Sequence, residues 1–133
     1  MEDIKYTVTA VILNDNNEVL AVSRKDDHND FGLPGGWVDD KDTSLEIAIC
    51  REIKEETGLV VKPTNLLQIL SMHRGASMSY SYYVKEYEGE IETDEPHIVK
   101  WTDFEVIKDG SFGYWNTLVE MSVDNFGIIK NKK

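Results

Sequence analysis

The chain has 133 residues, of which 41% are hydrophobic and 29% are charged, and its formal net charge is −11. This length and composition predict one globular domain spanning residues 1–133. The acidic balance argues against a nucleic-acid polymer as partner, because like charges repel. No long apolar run or signal-peptide pattern occurs, so we expect no membrane contact. The single cysteine, Cys50, indicates a reducing cytoplasm.

The first third of the chain predicts two strands and a polar loop. Tyr6 to Leu13 is a β-branched apolar run of the kind that forms a buried strand. An Asn- and Asp-rich turn follows, and Val19 to Ser23 then predicts a second strand. A polar loop from Arg24 to Asp30 follows and ends in the segment from Phe31 to Trp37, whose Pro-Gly-Gly backbone can approach a ligand closely.

A helix is the strongest element that the sequence predicts. Thr43 begins a Thr-x-x-Glu capping box, in which the hydroxyl and the carboxylate satisfy orphan amides. Apolar residues then follow at helical spacing, and Gly58 stands where a left-handed C-terminal cap is expected. The predicted helix therefore runs from about Ser44 to Thr57.

The second half of the chain predicts three strands and a further helix. Leu66 to His73 and Ser79 to Tyr87 favour two strands joined by a tight turn, and Ile98 to Trp101 favours a short third strand. Trp115 to Val123 has the spacing of an amphipathic helix. Strands and helices mix without a regular alternation, which indicates an α/β domain.

Three glutamates share one face of the predicted first helix. Glu52, Glu55 and Glu56 lie at i, i+3 and i+4, so their carboxylates are neighbours near the carboxyl end of the helix. Mutual repulsion and the helix dipole both disfavour this arrangement unless a cation lies between the side chains. Mg²⁺ prefers carboxylate oxygens and can orient water for attack on phosphorus. The same spacing also occurs on solvated Glu/Lys faces.

The segment from Gly36 to Leu59 resembles the Nudix box, G-x5-E-x7-R-E-U-x-E-E-x-G-U, where U is an aliphatic residue. Its second half matches at every fixed position from Arg51 onward. In the first half Asp42 replaces the glutamate, and eight residues rather than seven separate it from the arginine. The resemblance extends over about Tyr6 to Met121. It implies the Nudix α/β/α sandwich, with a mixed sheet between helices.

The resemblance also implies a metal site and its chemistry. We expect Mg²⁺, with Mn²⁺ as the alternative ion, held by the backbone carbonyl of Gly36 and by Glu52, Glu55, Glu56 and Glu95, with Glu92 as the fallback for the last. One of these glutamates would be the general base, acting through a metal-bound water. Arg51 would orient the carboxylates. For Asp42 two roles stay open, an outer metal ligand or a cap of the helix.

Substrate contacts are expected at three positions. Arg24 would clamp phosphate or ribose, and Asn116 lies at the start of the terminal helix, where some relatives read the base. Phe31 could stack on a base, as could three other aromatic residues, Tyr80, Tyr82 and Trp115. Alternating aromatic residues in strands are nevertheless more often core residues.

A small-molecule nucleotide is the expected partner, and the protein would be a monomer or a homodimer. The leading hypothesis is hydrolysis of a nucleoside triphosphate to the monophosphate and pyrophosphate. The complete set of helical glutamates and the position of Asn116 favour it. Cleavage of ADP-ribose or another nucleotide sugar is the second hypothesis. The third is a Nudix-derived nucleotide-binding module, which the altered loop at Asp42 keeps open.

Overall fold

The computed structural model of the chain describes residues 4–92 and 96–128. Its strands are β1 (Lys5–Val11), β2 (Val19–Ser23), β3 (Phe31–Gly32), β4 (Gly35–Trp37), β5 (Leu66–Arg74), β6 (Ser77–Val84) and β7 (Val99–Thr102). Its helices are α1 (Leu45–Thr57), α2 (Phe104–Lys108) and α3 (Gly113–Asn125), and Pro63–Asn65 forms a single 3₁₀ turn. No helix in these two ranges is long and apolar enough to cross a membrane.

The strands form two sheets. The larger has the order β4-β1-β6-β5, in which β1 and β6 run parallel and the other neighbours antiparallel. The smaller has the order β3-β2-β7 and is antiparallel throughout. A hydrogen bond of 2.9 Å from the Leu20 amide to the Ile12 carbonyl joins the two sheets where β1 leads into β2. The expected mixed sheet is therefore confirmed.

Two apolar cores lie on opposite faces of the large sheet, because successive side chains of a strand point in opposite directions. Val8 and Ala10 of β1 join the core under α1, whereas Val11 joins the core under α3. Helix α1 packs against β1 and β4, and α3 packs against β5 and α2. Helices thus cover both faces of the sheet, which confirms the α/β/α sandwich.

The structure shifts several predicted boundaries. Strand β2 lies where it was predicted, and α1 differs from its prediction by one residue. Strand β6 spans Ser77–Val84 rather than Ser79 to Tyr87, and α3 begins two residues earlier and ends two residues later than predicted. The short strands β3 and β4 and the five-residue helix α2 were not predicted, since such short segments show no periodicity.

The N-terminal cap of α1 also differs from the prediction. Ser44 is the N-cap, with φ of −159°, and its Oγ accepts a hydrogen bond of 3.0 Å from the Ile47 amide. Thr43 therefore does not begin a capping box, and the helix starts one residue later than that pattern requires. Gly58 ends the helix in the left-handed conformation, with φ of 83°, as predicted.

Candidate active site

Helix α1 presents its glutamates beside the edge strand β4. Ala48, Ile49 and Ile53 are fully buried against the sheet and set the rotation of the helix. With this face buried, the side chain of Glu52 is 13% exposed and that of Glu55 is 50% exposed. The carboxylates therefore lie between the buried face of the helix and solvent.

Arg51 connects this carboxylate face to the loop before the helix. Its Nε and Nη2 donate to the two oxygens of Asp42 at 2.9 and 2.8 Å. Nη1 donates to Glu55 at 3.2 Å and lies 3.6 Å from Oε1 of Glu52, and Nη2 also lies 3.3 Å from the Trp37 carbonyl oxygen. One guanidinium thus holds three carboxylates and the end of β4 in fixed relation.

This contact defines the place of Asp42. Its side chain is 4% exposed, and one of its oxygens also accepts a hydrogen bond of 2.8 Å from the Asp39 amide. The hydrogen bond from Arg51 holds the pKa of the Asp42 carboxyl below its usual range, and the same contact raises the pKa of Arg51. Asp42 is the anchor of Arg51, whereas the helix cap belongs to Ser44.

Two glycines let the helix approach β4 closely. The Gly35 amide donates to Oε1 of Glu56 at 2.8 Å. A Cβ atom at Gly36 would collide with the Glu52 carboxylate, and one at Gly35 would collide with the Val8 carbonyl oxygen. Both helical carboxylates therefore rest against the backbone of this three-residue strand, in space that only glycine leaves open.

The donor chemistry of this face fits a hard divalent cation. Carboxylate oxygens of Glu52, Glu55 and Glu56, with a backbone carbonyl at Gly36, are the kind of ligands that Mg²⁺ and Mn²⁺ prefer. Within residues 4–92 and 96–128, no three His, Cys, Asp or Glu side chains already stand close enough to enclose an ion. The predicted ligand Glu95 lies outside the described residues.

Two cavities adjoin this face. The first encloses about 410 Å³ and is lined by Thr7, Val8, Thr9, Leu33, Gly35, Gly36, Trp37, Arg74, Ser77, Ser79, Phe112, Trp115 and Asn116. The second encloses about 560 Å³ and is lined by Val22, Ser23, Arg24, Lys25, Asp26, Asp30, Gly32, Leu33, Gly35, Trp37, Glu56, His97 and Phe112. They share four lining residues, so they adjoin, and we refer to the two together as the cleft.

Charged groups line the second cavity. Glu56 reaches it from the carboxylate face, and the Nε2 atom of His97 lies 2.8 Å from the Glu56 carbonyl oxygen. Arg24 lines it as well, with its Nε 3.1 Å from Asp26 and 4.0 Å from Asp30. The expected phosphate-binding arginine and one expected metal ligand therefore meet in the same cavity.

Hydroxyl groups line the first cavity. Thr7 donates to the Ser79 hydroxyl at 2.7 Å, and the indole of Trp115 donates to Thr9 at 3.2 Å. Asn116 lines the cavity too, although its side chain is nearly fully buried and its Nδ2 donates to the Ile107 carbonyl at 3.0 Å. This wall offers neutral donors and acceptors of the kind that recognise sugars and bases.

Of the aromatic residues singled out from sequence, Trp115 lines the first cavity, whereas Phe31 and Tyr82 lie elsewhere. Phe31 is buried in the core under α3, with Nζ of Lys100 4.2 Å from its ring centroid, and it lines neither cavity. Tyr82 is buried in the core under α1, where desolvation raises the pKa of its hydroxyl. Sequence reasoning instead missed Trp37 and Phe112, which line both cavities. The signal was that Trp37 directly follows Gly35-Gly36 and Phe112 directly precedes Gly113, outside the strands and helices that the sequence predicts.

Comparison with known proteins identifies the class. The NUDIX domain model matches residues 3–118 of the chain. A solved structure of MutT, reported for Aliivibrio salmonicida and Vibrio cholerae, superposes with a TM-score of 0.76 over 93% of this chain and 100% of that one. Its sequence identity is 21%, so this likeness establishes the fold alone. The chain belongs to the Nudix family and is a hydrolase acting on phosphoanhydride bonds.

Two curated relatives carry more specific names. The ADP-ribose pyrophosphatase of Methanocaldococcus jannaschii is 32% identical over 126 residues, which cover 90% of this chain and 68% of that protein. The 8-oxo-dGDP phosphatase NUDT18 of Mus musculus is 37% identical over 78 residues, 57% of this chain and 23% of that protein. Nudix hydrolases generally use divalent metal ions, in keeping with the donor set described above.

Proposed function

We propose that this Nudix hydrolase uses Mg²⁺ to cleave a nucleoside triphosphate into the monophosphate and pyrophosphate. The observation that carries the proposal is that the two cavities adjoin beside the carboxylate face of α1. A hydroxyl-lined cavity with Asn116 shares Gly35 with a cavity that contains Arg24 and Glu56. A nucleoside in the first cavity would direct its phosphate chain toward the carboxylate face of α1.

The residues of the chain supply positioning and charge. Glu52, Glu55 and Glu56, with the carbonyl of Gly36, would hold the metal, which when bound neutralises phosphate charge and supplies an activated water. Arg51 keeps two of these carboxylates at fixed distances through Nη1. One of the glutamates, or Glu95, would accept the proton of the attacking water. Phosphate oxygens would draw Arg24 from its contacts with Asp26 and Asp30.

ADP-ribose is the second candidate substrate. Two observations favour it: the 32% identical relative that carries the name ADP-ribose pyrophosphatase, and the size of the second cavity, about 560 Å³. That space accommodates a sugar beyond the scissile linkage. The cleft accepts the same nucleoside diphosphate core in both cases, and the group beyond it distinguishes them.

Product analysis separates the two candidates. The protein would be incubated with Mg²⁺ and, separately, nucleoside triphosphates, 8-oxo-dGTP, 8-oxo-dGDP, ADP-ribose, nucleotide sugars and dinucleoside polyphosphates. Release of pyrophosphate from a triphosphate supports the proposal, whereas AMP with ribose 5-phosphate identifies the second candidate. No turnover with any member of the panel would overturn both and favour a nucleotide-binding module.

Replacement of Glu56 by glutamine tests the metal assignment. Glu56→Gln retains the shape of the side chain and removes its charge, so we expect Mg²⁺-dependent turnover to fall by about 10²-fold or more. The circular dichroism spectrum should stay that of the wild type. Glu46→Gln is the control on the same helix, since Glu46 accepts from the Tyr82 hydroxyl at 3.4 Å, away from the cleft. Wild-type activity of Glu56→Gln would refute the metal assignment.

A further inference from the structure

Trp37 exposes a large aromatic ring where the two cavities of the cleft adjoin. It is 57% exposed and lines both cavities. In the register of the large sheet it pairs with Thr7 of β1, and paired residues project from the same face of a sheet. That face also carries Thr9, which bonds to Trp115. The indole therefore stands on the cleft side of the edge strand.

Two of the other aromatic candidates, Trp115 and Phe31, have no free ring face in the cleft. Trp115 is 3% exposed, its Nε1 is bonded to Thr9, and the guanidinium carbon of Arg74 lies 5.2 Å from its ring centroid. Phe31 is buried outside both cavities, as described above. Phe112, which is 50% exposed, is the other aromatic residue among the described residues that borders both cavities.

The backbone of Trp37 is tied to the groups that surround the scissile bond. Its carbonyl oxygen lies 3.3 Å from Nη2 of Arg51, the same guanidinium that binds Glu55. Two residues earlier on β4, the Gly35 amide holds Glu56. The ring and the carboxylate face therefore share one three-residue strand, so a group that stacks on the ring is placed relative to the carboxylates.

We propose that Trp37 is the platform on which the nucleobase of the substrate stacks, and that it thereby sets which phosphoanhydride faces the carboxylates. An exposed indole in a cleft gains by covering its apolar face, and every base offers a flat π surface of matching size. Lys5, whose Nζ lies 5.9 Å from the ring centroid, further orients the ring by a cation–π contact. The inference rests on the proposed function, since it requires a nucleotide in the cleft.

Trp37→Ala and Trp37→Phe test the stacking directly. Loss of one base–aromatic stack should raise the KM of the best nucleotide substrate roughly ten- to hundredfold, with kcat little changed, because stacking is present in the ground state and the transition state alike. Trp37→Phe should stay within a few-fold of the wild type. Tyr114→Ala is the matched control, since Tyr114 is 73% exposed and lines neither cavity.

A binding measurement without turnover makes the test independent of catalysis. The α,β-methylene analogues of ATP and GTP should quench tryptophan fluorescence in the presence of Mg²⁺, whereas tripolyphosphate, which has no base, should not. The quench should vanish in Trp37→Phe while the affinity for tripolyphosphate stays the same. A quench that persists in Trp37→Phe, or unchanged KM in Trp37→Ala, would overturn the inference.

Two further outcomes keep the inference and the proposed function apart. Quenching by the methylene analogues without turnover of any substrate would remove the proposed function and leave the stacking platform standing. A Trp37→Ala variant with the same turnover as the wild type would instead remove the stacking platform and leave the proposed function standing. A changed elution volume of Trp37→Ala in gel filtration would assign the ring to a subunit interface and so overturn the inference.

Discussion

The Asp42 carboxylate and the Arg51 guanidinium form a two-hydrogen-bond ion pair on a side chain that is 4% exposed. Asp42→Asn should lower the free energy of unfolding at pH 7 by about 1.5–3 kcal/mol, the range for hydrogen bonds to charged groups. Because folding lowers the pKa of Asp42, its stabilisation is complete above the ordinary value of 3.8 and is lost as pH falls through the lowered folded value. Urea unfolding at pH 7 and at pH 3 measures this.

The difference in the free energy of unfolding between Asp42→Asn and wild type should therefore be smaller at pH 3 than at pH 7. Asp40→Asn is the control, because Asp40 is exposed in the same loop. Equal stability of Asp42→Asn and wild type at pH 7 would contradict the role of Asp42 as the anchor of Arg51.

The Ser81 hydroxyl is a second feature at the level of single residues. Ser81 is fully buried, and among the described residues its Oγ is the buried side-chain atom without a hydrogen-bond partner. Ser81→Ala removes this unsatisfied group, so thermal or urea unfolding should give equal stability or a gain of about 1 kcal/mol. Ser23→Ala should instead cost about 1–3 kcal/mol, since the buried Ser23 hydroxyl donates to Arg24 and accepts from Ile98. The reverse order of the two variants would refute this account.

Among the elements, helix α1 carries the carboxylate face, and its first turn decides how firmly that face is held. Ser44→Ala should lower the free energy of unfolding by about 1 kcal/mol, because the Ile47 amide loses its partner. Thr43→Ala should change it by less than about 0.5 kcal/mol, a value typical of exposed surface positions. Chemical denaturation of both variants measures the difference. A larger loss of unfolding free energy in Thr43→Ala than in Ser44→Ala would show that Thr43 caps the helix, as the sequence suggests.

The same element shows what sequence can and cannot predict. The limits of α1 followed from local signals, an apolar stripe and Gly58, which act within a few residues. The strand β4 has three residues, too few for a period, and its existence depends on pairing with β1 in the fold. The cleft depends on such pairings. The sequence alone did not show that Phe31 faces a core while Trp37 faces the cleft. The face of the sheet from which each side chain projects depends on how its short strand pairs in the fold.

At the scale of the whole molecule, a net charge of −11 opposes the compact state and concentrates cations near the surface. We expect millimolar Mg²⁺ to raise the melting temperature beyond what NaCl of equal ionic strength achieves, since an ion that binds only the folded state stabilises it by mass action. Differential scanning fluorimetry measures both effects. Glu56→Gln should retain the response to NaCl and lose most of the Mg²⁺ increment. Equal increases in melting temperature from Mg²⁺ and from NaCl would mean that both salts only screen the surface charge and that no specific Mg²⁺ site exists.

The contact between Asp42 and Arg51 also bears on how this protein diverged from its relatives. The loop before α1 is one residue longer than the Nudix pattern, and the acid at its end is one methylene shorter, yet both guanidinium hydrogen bonds form at 2.8–2.9 Å. We infer that the two departures compensate each other. Restoring either one alone should displace the carboxylate from the guanidinium. We therefore expect the longer loop and the aspartate to occur together in related sequences. A comparison of family members should treat the two changes as one.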